Sequence, residues 1–174
     1  NFGTFTQTGG TIDVSGKDSI GIYAKDSSSS TTITGSTVNA KNGAVAFYAD
    51  GSSGNESTIT LNNVTSNIGD GGLLFFNYTG TLPGQVGKFN ISGPTTVNIL
   101  SGGVAFYNKG IIGSEATFLN MVNGNNLTLN MSSGSRLFVF DNPAITENLS
   151  SIPSLGGVPS ISNSSGTATI TVNG

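Results

Sequence analysis

Thr37 to Asp50, TVNAKNGAVAFYAD, is the stretch that decides the fold. Val38 and Ala40 alternate with polar neighbours, Lys41-Asn42-Gly43 make a turn, and Val45 and Phe47 then lead into Tyr48. A spacing of two puts both apolar side chains of such a pair on one face of a strand. The same pattern lies in Thr11 to Asp26 (TIDVSGKDSIGIYAKD), Val64 to Asn77 (VTSNIGDGGLLFFN), Val97 to Asn108 (VNILSGGVAFYN) and Leu129 to Asp141 (LNMSSGSRLFVFD).

Each copy has a short first strand, as in Ile12-Asp13-Val14 or Val97-Asn98-Ile99, then a polar turn, then a strand ending in an aromatic. The aromatic register reads Tyr23, Tyr48, Phe76, Tyr107 and Phe140, preceded by the apolar pairs Ile20/Ile22, Val45/Phe47, Leu73/Phe75, Val104/Phe106 and Leu137/Val139. A further copy begins at Ile170-Thr171-Val172. The connections hold a third short strand at Thr31 to Thr34, Ser57 to Leu61 and Lys88 to Ile91, and Thr167 to Thr169 leads into the last copy. One such unit cannot bury its own apolar face, so neighbours must stack. The expected fold is all-β, a parallel β-helix of about six coils, a continuous solenoid over residues 1–174. Parallel crossover connections predict right-handed winding, and strand spacing predicts a rod segment of roughly 29 Å.

Composition supports this reading. Only 9% of residues are charged, with 26 Gly in a chain of 174, so solubility rests on uncharged polar groups. Apolar residues at period two, bounded by turn residues, separate this pattern from disorder. A net charge of −3 with scattered basic residues gives no electrostatic footprint for nucleic acid or an anionic membrane. Cys and His are both absent. That excludes disulfide staples, thiolate or imidazole zinc sites and His-dependent triads. The repeat continues into the last residues, so a longer parent protein is expected.

The spacing from first strand to aromatic is nearly constant, whereas the connections onward grow. The long excursions, expected on one side of the rod, are 77–88, 108–124 and 141–165. Ser114 to Gly124 has a helix cap in Ser114 and a stop in Gly124. Asn142 to Ile152 has Asn142 as cap and Pro143 at the first helical position. Short helices are therefore expected in both, with a Gly/Pro/Ser loop from Ser154 to Ser165. Tyr78, Leu82, Ile111, Ile112, Ile145, Leu149 and Ile152 are apolar residues without a place in the repeat, and are the partner-binding candidates. Packing of each excursion back on the rod would explain them equally well.

The aromatic column could form a sugar- or peptide-binding ladder if exposed. Equivalent positions in neighbouring coils face each other, however, so the expectation is a structural stack. Asp26, Asp50, Asn77, Asn108 and Asp141 follow the aromatic strands. Turn bonding and amide laddering explain them without a metal, and the calcium-binding GGxGxD signature is missing. The carboxylates are spread along the chain, with no close run that supplies the acid and base pair of glycoside hydrolysis. Gly87-Lys88 is no phosphate loop, because Leu82 and Phe89 stand where Gly and a hydroxyl are required. Sequons at Asn55, Asn63, Asn77, Asn90, Asn126, Asn130, Asn148 and Asn163 are a weak excess over the roughly five expected by chance in so Asn- and Ser-rich a chain, and make no case for glycosylation. No catalytic, metal or cofactor site is expected.

From Gly10 to Asp50 the sequence GTIDVSGKDSIGIYAKDSSSSTTITGSTVNAKNGAVAFYAD resembles the passenger repeats of large Gram-negative autotransporter adhesins, most of all the fusobacterial type. The strand Ser19-Ile20-Gly21-Ile22-Tyr23-Ala24, set between strands like Thr32-Ile33 and Thr37-Val38-Asn39, carries the resemblance, which weakens from Asn77 onward. It implies a rod at the bacterial cell surface, anchored in the outer membrane through a C-terminal barrel not in this chain, or released outside the cell. It also implies attachment to a host cell-surface protein or glycan, or to another bacterium, with no membrane contact by this segment. The alternatives are a carbohydrate-active β-helix enzyme and a pure spacer.

Overall fold

The computed structural model describes residues 3–25, 30–52, 56–79, 87–110, 122–123, 127–140, 160–163 and 169–172. These residues form strands and turns and contain no helix. In chain order the strands are β1 (Thr4–Thr8), β2 (Thr11–Ser15), β3 (Ile20–Lys25), β4 (Ser30–Thr34), β5 (Thr37–Lys41), β6 (Val45–Asp50), β7 (Ser57–Asn62), β8 (Thr65–Ile68) and β9 (Leu73–Thr79). They continue as β10 (Gly87–Ile91), β11 (Thr95–Ile99), β12 (Val104–Gly110), β13 (Val122–Asn123), β14 (Leu127–Met131), β15 (Arg136–Phe140), β16 (Ser160–Asn163) and β17 (Thr169–Val172).

Three parallel sheets result. The first is β1-β4-β7-β10-β13, the second β2-β5-β8-β11-β14-β16 and the third β3-β6-β9-β12-β15-β17. The chain visits them in turn, which is a β-solenoid. Register is fixed by the inward columns, because a slip of one residue would send each apolar side chain to solvent. In the first sheet Ile33, Leu61 and Ile91 align; in the second, Ala40, Ile68, Ile99 and Met131 align, and all are buried. In the third sheet the alternation breaks at Ala46-Phe47, where two consecutive residues are fully buried. Leu74 and Ala105 are fully buried like Ala46, and the rings of Phe47, Phe75 and Phe106 align in the neighbouring column. Phe75 lies 5.8 Å from Phe47, 5.4 Å from Phe106 and 4.3 Å from Phe89 of the first sheet. This cluster joins the sheets across the core.

Polar residues also enter the inward columns, as Thr31 does beside Ile59 and Phe89 in the first sheet, its buried hydroxyl without a hydrogen bond among the described residues. Val38, Ser66, Val97 and Leu129 align in the second sheet, and the buried Ser66 hydroxyl makes no hydrogen bond. The third copy's first strand therefore centres on Ser66, two residues beyond the Val64 expected from the apolar pattern. Desolvating an unpaired hydroxyl costs about 1–3 kcal/mol. Ser66→Ala is accordingly expected to stabilise the chain by about 1 kcal/mol, read as a higher urea midpoint; a lower midpoint would show that the hydroxyl is satisfied.

Other sequence expectations need correction. Tyr107 pairs with Val139, and Phe140 pairs with Asn108, so Phe140 is one residue out of the aromatic register. The fifth copy's segment Arg136-Leu137-Phe138-Val139-Phe140 has two aromatics, and strand pairing selects the frame that aligns Phe138 with Phe106. Ile170 to Val172 belongs to β17 of the third sheet; the last first-type strand is β16, inside the expected Ser154 to Ser165 loop. Val122–Asn123, expected at the end of a helix, pairs with Phe89–Asn90. Backbone pairing here outweighs cap residues. The rest of both helical expectations lies outside the described residues.

Candidate functional site

The outer face of the second sheet carries one aligned polar residue from each of β2, β5, β8, β11 and β14. Pairing aligns Asp13, Asn39, Asn67, Asn98 and Asn130. Outward amides at parallel-strand spacing meet each other, and they form a ladder. Asn39 Nδ2 donates to Asp13 Oδ1 at 2.6 Å, and Asn67 Nδ2 donates to Asn39 Oδ1 at 2.8 Å. Asn98 Nδ2 donates to Asn67 Oδ1 at 2.8 Å, and Asn130 Nδ2 to Asn98 Oδ1 at 3.0 Å. All four donate in the same direction, and the chain of amides ends on the Asp13 carboxylate. Aligned hydrogen bonds polarise one another, and the terminal anion strengthens the last.

Beside this ladder the turns between the second and third sheets rise into a wall. They carry left-handed residues, with Gly71 at φ +77 and Gly102 at φ +76, and their backbone groups continue the ladder as Gly71 N–H donates to Gly102 O. Ladder and wall enclose a groove of about 870 Å³ whose lining includes Asp13, Asn39, Lys41, Asn67, Asp70 and Leu100. Leu100 is 46% exposed.

The outer face of the third sheet carries the aromatic ladder. Ring centroids are 4.9 Å apart for Tyr23–Tyr48, 4.4 Å for Tyr48–Phe76 and 5.0 Å for Phe76–Tyr107. The first two contacts are edge-on and the last is stacked. Tyr23 is 39% exposed, and Tyr48, Phe76 and Tyr107 are half-buried. The rings therefore cover one another as the structural reading expects, while their outer edges meet solvent.

Asp50 ties this ladder to the chain that follows. Only 5% exposed, its Oδ2 accepts from the Tyr23 hydroxyl at 2.8 Å and lies 3.8 Å from Lys25 Nζ. Its Oδ1 accepts from the Ser52 backbone N–H at 2.9 Å and from the Ser52 hydroxyl. Burial alone pushes this carboxyl up; the Ser52, Tyr23 and Lys25 interactions together outweigh it and hold it below its ordinary value of 3.8. A carboxyl depressed in the folded state stabilises above its unfolded pKa and loses that contribution as pH falls through the folded value. The wild type should thus lose stability on acidification below about pH 4. Asp50→Asn should be less stable than wild type near neutrality, with the gap shrinking at acid pH. Urea unfolding at the two pH values checks this, and a gap independent of pH would contradict it.

Asp50 pairs with Tyr78, while Asn77 pairs with Ala49 and Asn108, so the expected Asp/Asn column is not a single column. Tyr78 itself sits in β9, paired with Asp50 and Lys109, and so has a place in the repeat. Leu82, Ile111, Ile112, Ile145, Leu149 and Ile152 lie outside the described residues, as do Asp26 and Asp141. Among the described residues no group of three or more acidic side chains is placed to hold a metal ion.

No protein-family model, curated protein or solved structure matches this chain.

The amide ladder is the feature that residue-by-residue reading missed. Its signal is present in the sequence: a single Asn at the same place in Val-Asn-Ala, Ser-Asn-Ile, Val-Asn-Ile and Leu-Asn-Met. Chemically the groove offers amide donors and acceptors, two carboxylates, one ammonium and an apolar wall. That is equipment for holding a polar ligand.

Proposed function

We propose that this chain is a β-helical section of a bacterial surface autotransporter adhesin. It acts as a right-handed rod and presents the connections that leave its third sheet for attachment to a host-cell protein or glycan, or to another bacterium. The observation that carries this reading is where the chain lengthens. Links from the first sheet to the second and from the second to the third stay short throughout. Links leaving the third sheet grow along the chain, as 26–29, 51–56, 80–86, 111–121 and 141–159. Variation confined to one corner of a repeat is how solenoids diversify a binding side without disturbing the stack. The sequence resemblance supplies the surface location and the outer-membrane anchor of the parent.

One observation favours the carbohydrate-active enzyme, namely that Asp13 and Asp70 line the same groove. They stand two turns apart in the stack and three residues apart along it, so strand geometry separates them by roughly 10–14 Å. Glycoside hydrolysis needs its two carboxyls about 5–9.5 Å apart. Attachment is therefore the better reading.

The test is binding of the purified chain to an array of host surface proteins and glycans, beside a variant in which residues 142–158 are replaced by a short turn. Binding to surface proteins that is lost in the variant is the expected result, whatever the array shows for neutral glycans. Absence of binding by either protein would reduce this section to a spacer.

A further inference from the structure

We propose that the groove over the amide ladder binds an uncharged oligosaccharide. The site is distinct from the connections discussed above and does not depend on the adhesin reading. Asn39 and Asn67 line the groove, and in the ladder each spends one amide hydrogen and one carbonyl lone pair. A side-chain amide has two of each. Both residues therefore keep one donor and one acceptor for a ligand, repeated at the strand spacing of about 4.8 Å. A sugar hydroxyl donates and accepts at once, which matches this paired offer better than a ligand of acceptors alone.

The apolar wall adds to the match. Leu100 packs across Gly69, where a Cβ would come within 3.3 Å of the Leu100 Cβ. The absence of a side chain at Gly69 lets Leu100 lie over the groove while still 46% exposed, and it supplies a surface for the C–H face of a sugar ring. Asp13 and Asp70 outnumber Lys41 in the lining, which disfavours sulfated, sialylated and phosphorylated ligands. A peptide strand is disfavoured too, because the floor is a sheet face whose backbone bonds are already made, and strand addition needs a free edge. The volume of about 870 Å³ falls within the range of sites that enclose small ligands.

The experiment is a printed array of neutral and anionic glycans probed with the whole 174-residue chain, followed by titration of the strongest neutral hit. Three variants accompany it: Leu100→Asp, Asn67→Leu and the shortened 142–158 chain. Saturable binding to neutral glycans is expected, weakened about tenfold or more in Leu100→Asp and unchanged when 142–158 is shortened. Leu100 is exposed, so its variant reads the groove even if Asn67→Leu lowers stability. Absence of saturable neutral-glycan binding overturns the proposal, as does preference for anionic glycans. So does binding that survives Leu100→Asp but is lost with 142–158, since that places recognition on the connections.

Discussion

Replacing Phe75 by Ala is expected to destabilise the chain by about 3–5 kcal/mol, the cost of removing a large buried ring from a packed core. Phe75 is fully buried and touches the rings of Phe47 and Phe106 in its own sheet and Phe89 in the first. Its loss leaves a cavity where aromatic contacts cross from the third sheet to the first, and the flanking rings are anchored by strands that cannot close over it. Since each turn of a solenoid contacts only its neighbours, the damage should be local. Amide hydrogen exchange should rise first in β6, β9 and β12, with β2 and β5 less affected. Phe75→Leu should cost much less, as it keeps most of the volume. Urea unfolding with exchange detection measures both, and an Ala variant as stable as the Leu variant would contradict the packing account.

Gly72→Ala is expected to cost about 2–3 kcal/mol, within the range for forcing extra atoms into a packed interior. In an ordinary strand the same change would stabilise by about 0.5–1 kcal/mol, because Gly loses more freedom on folding. The sign is reversed by contact with backbone. A Cβ on Gly72 would fall 2.4 Å from Ala40 O and 2.9 Å from Gly69 O, and neither carbonyl can rotate away without breaking its hydrogen bond. Ala40 O accepts from Gly69 N–H, and Gly69 O accepts from Gly72 N–H. A side chain here therefore pushes on the turn that walls the groove. A rise in the urea midpoint of Gly72→Ala would contradict this.

Two of the three strands per turn were legible in the sequence because apolar residues at spacing two, a Gly-containing turn and a terminal aromatic recur together. The short third strands at Thr31, Ile59 and Phe89 were legible as well. What escaped the reading has physical causes. Ser66 occupies a core column with a polar side chain, so apolar matching chose Val64. Phe138 and Phe140 are both aromatic, and only pairing with Phe106 decides between them. Val122–Asn123 is too short to outweigh Ser114 and Gly124 as helix punctuation until its partner strand is in place. Tyr78 looked surplus because β9 runs past its aromatic. The amide ladder was hidden since a lone Asn between two apolar residues reads as solvent-facing; what it does there depends on the Asn in the next turn. The candidate groove is a product of stacking, and stacking brings together residues such as Asp13 and Leu100 that lie far apart in sequence.

The same geometry separates scaffold from contact surface. Inward rings and aliphatic columns hold the turns together, and the outer aromatic ladder and Asp50 pin the third sheet. The second-sheet groove is left as a surface free to differ, and the connections that leave the third sheet vary in length. On the proposed reading, attachment is what the section contributes.

The most direct test is attachment of chain-coated beads to host epithelial cells and to bacteria, scored against beads coated with an unrelated protein. The account predicts saturable attachment that soluble chain competes away, reduced when 142–158 is shortened or Leu100 is changed to Asp. Attachment no greater than that of the control beads, to either kind of cell, would contradict it.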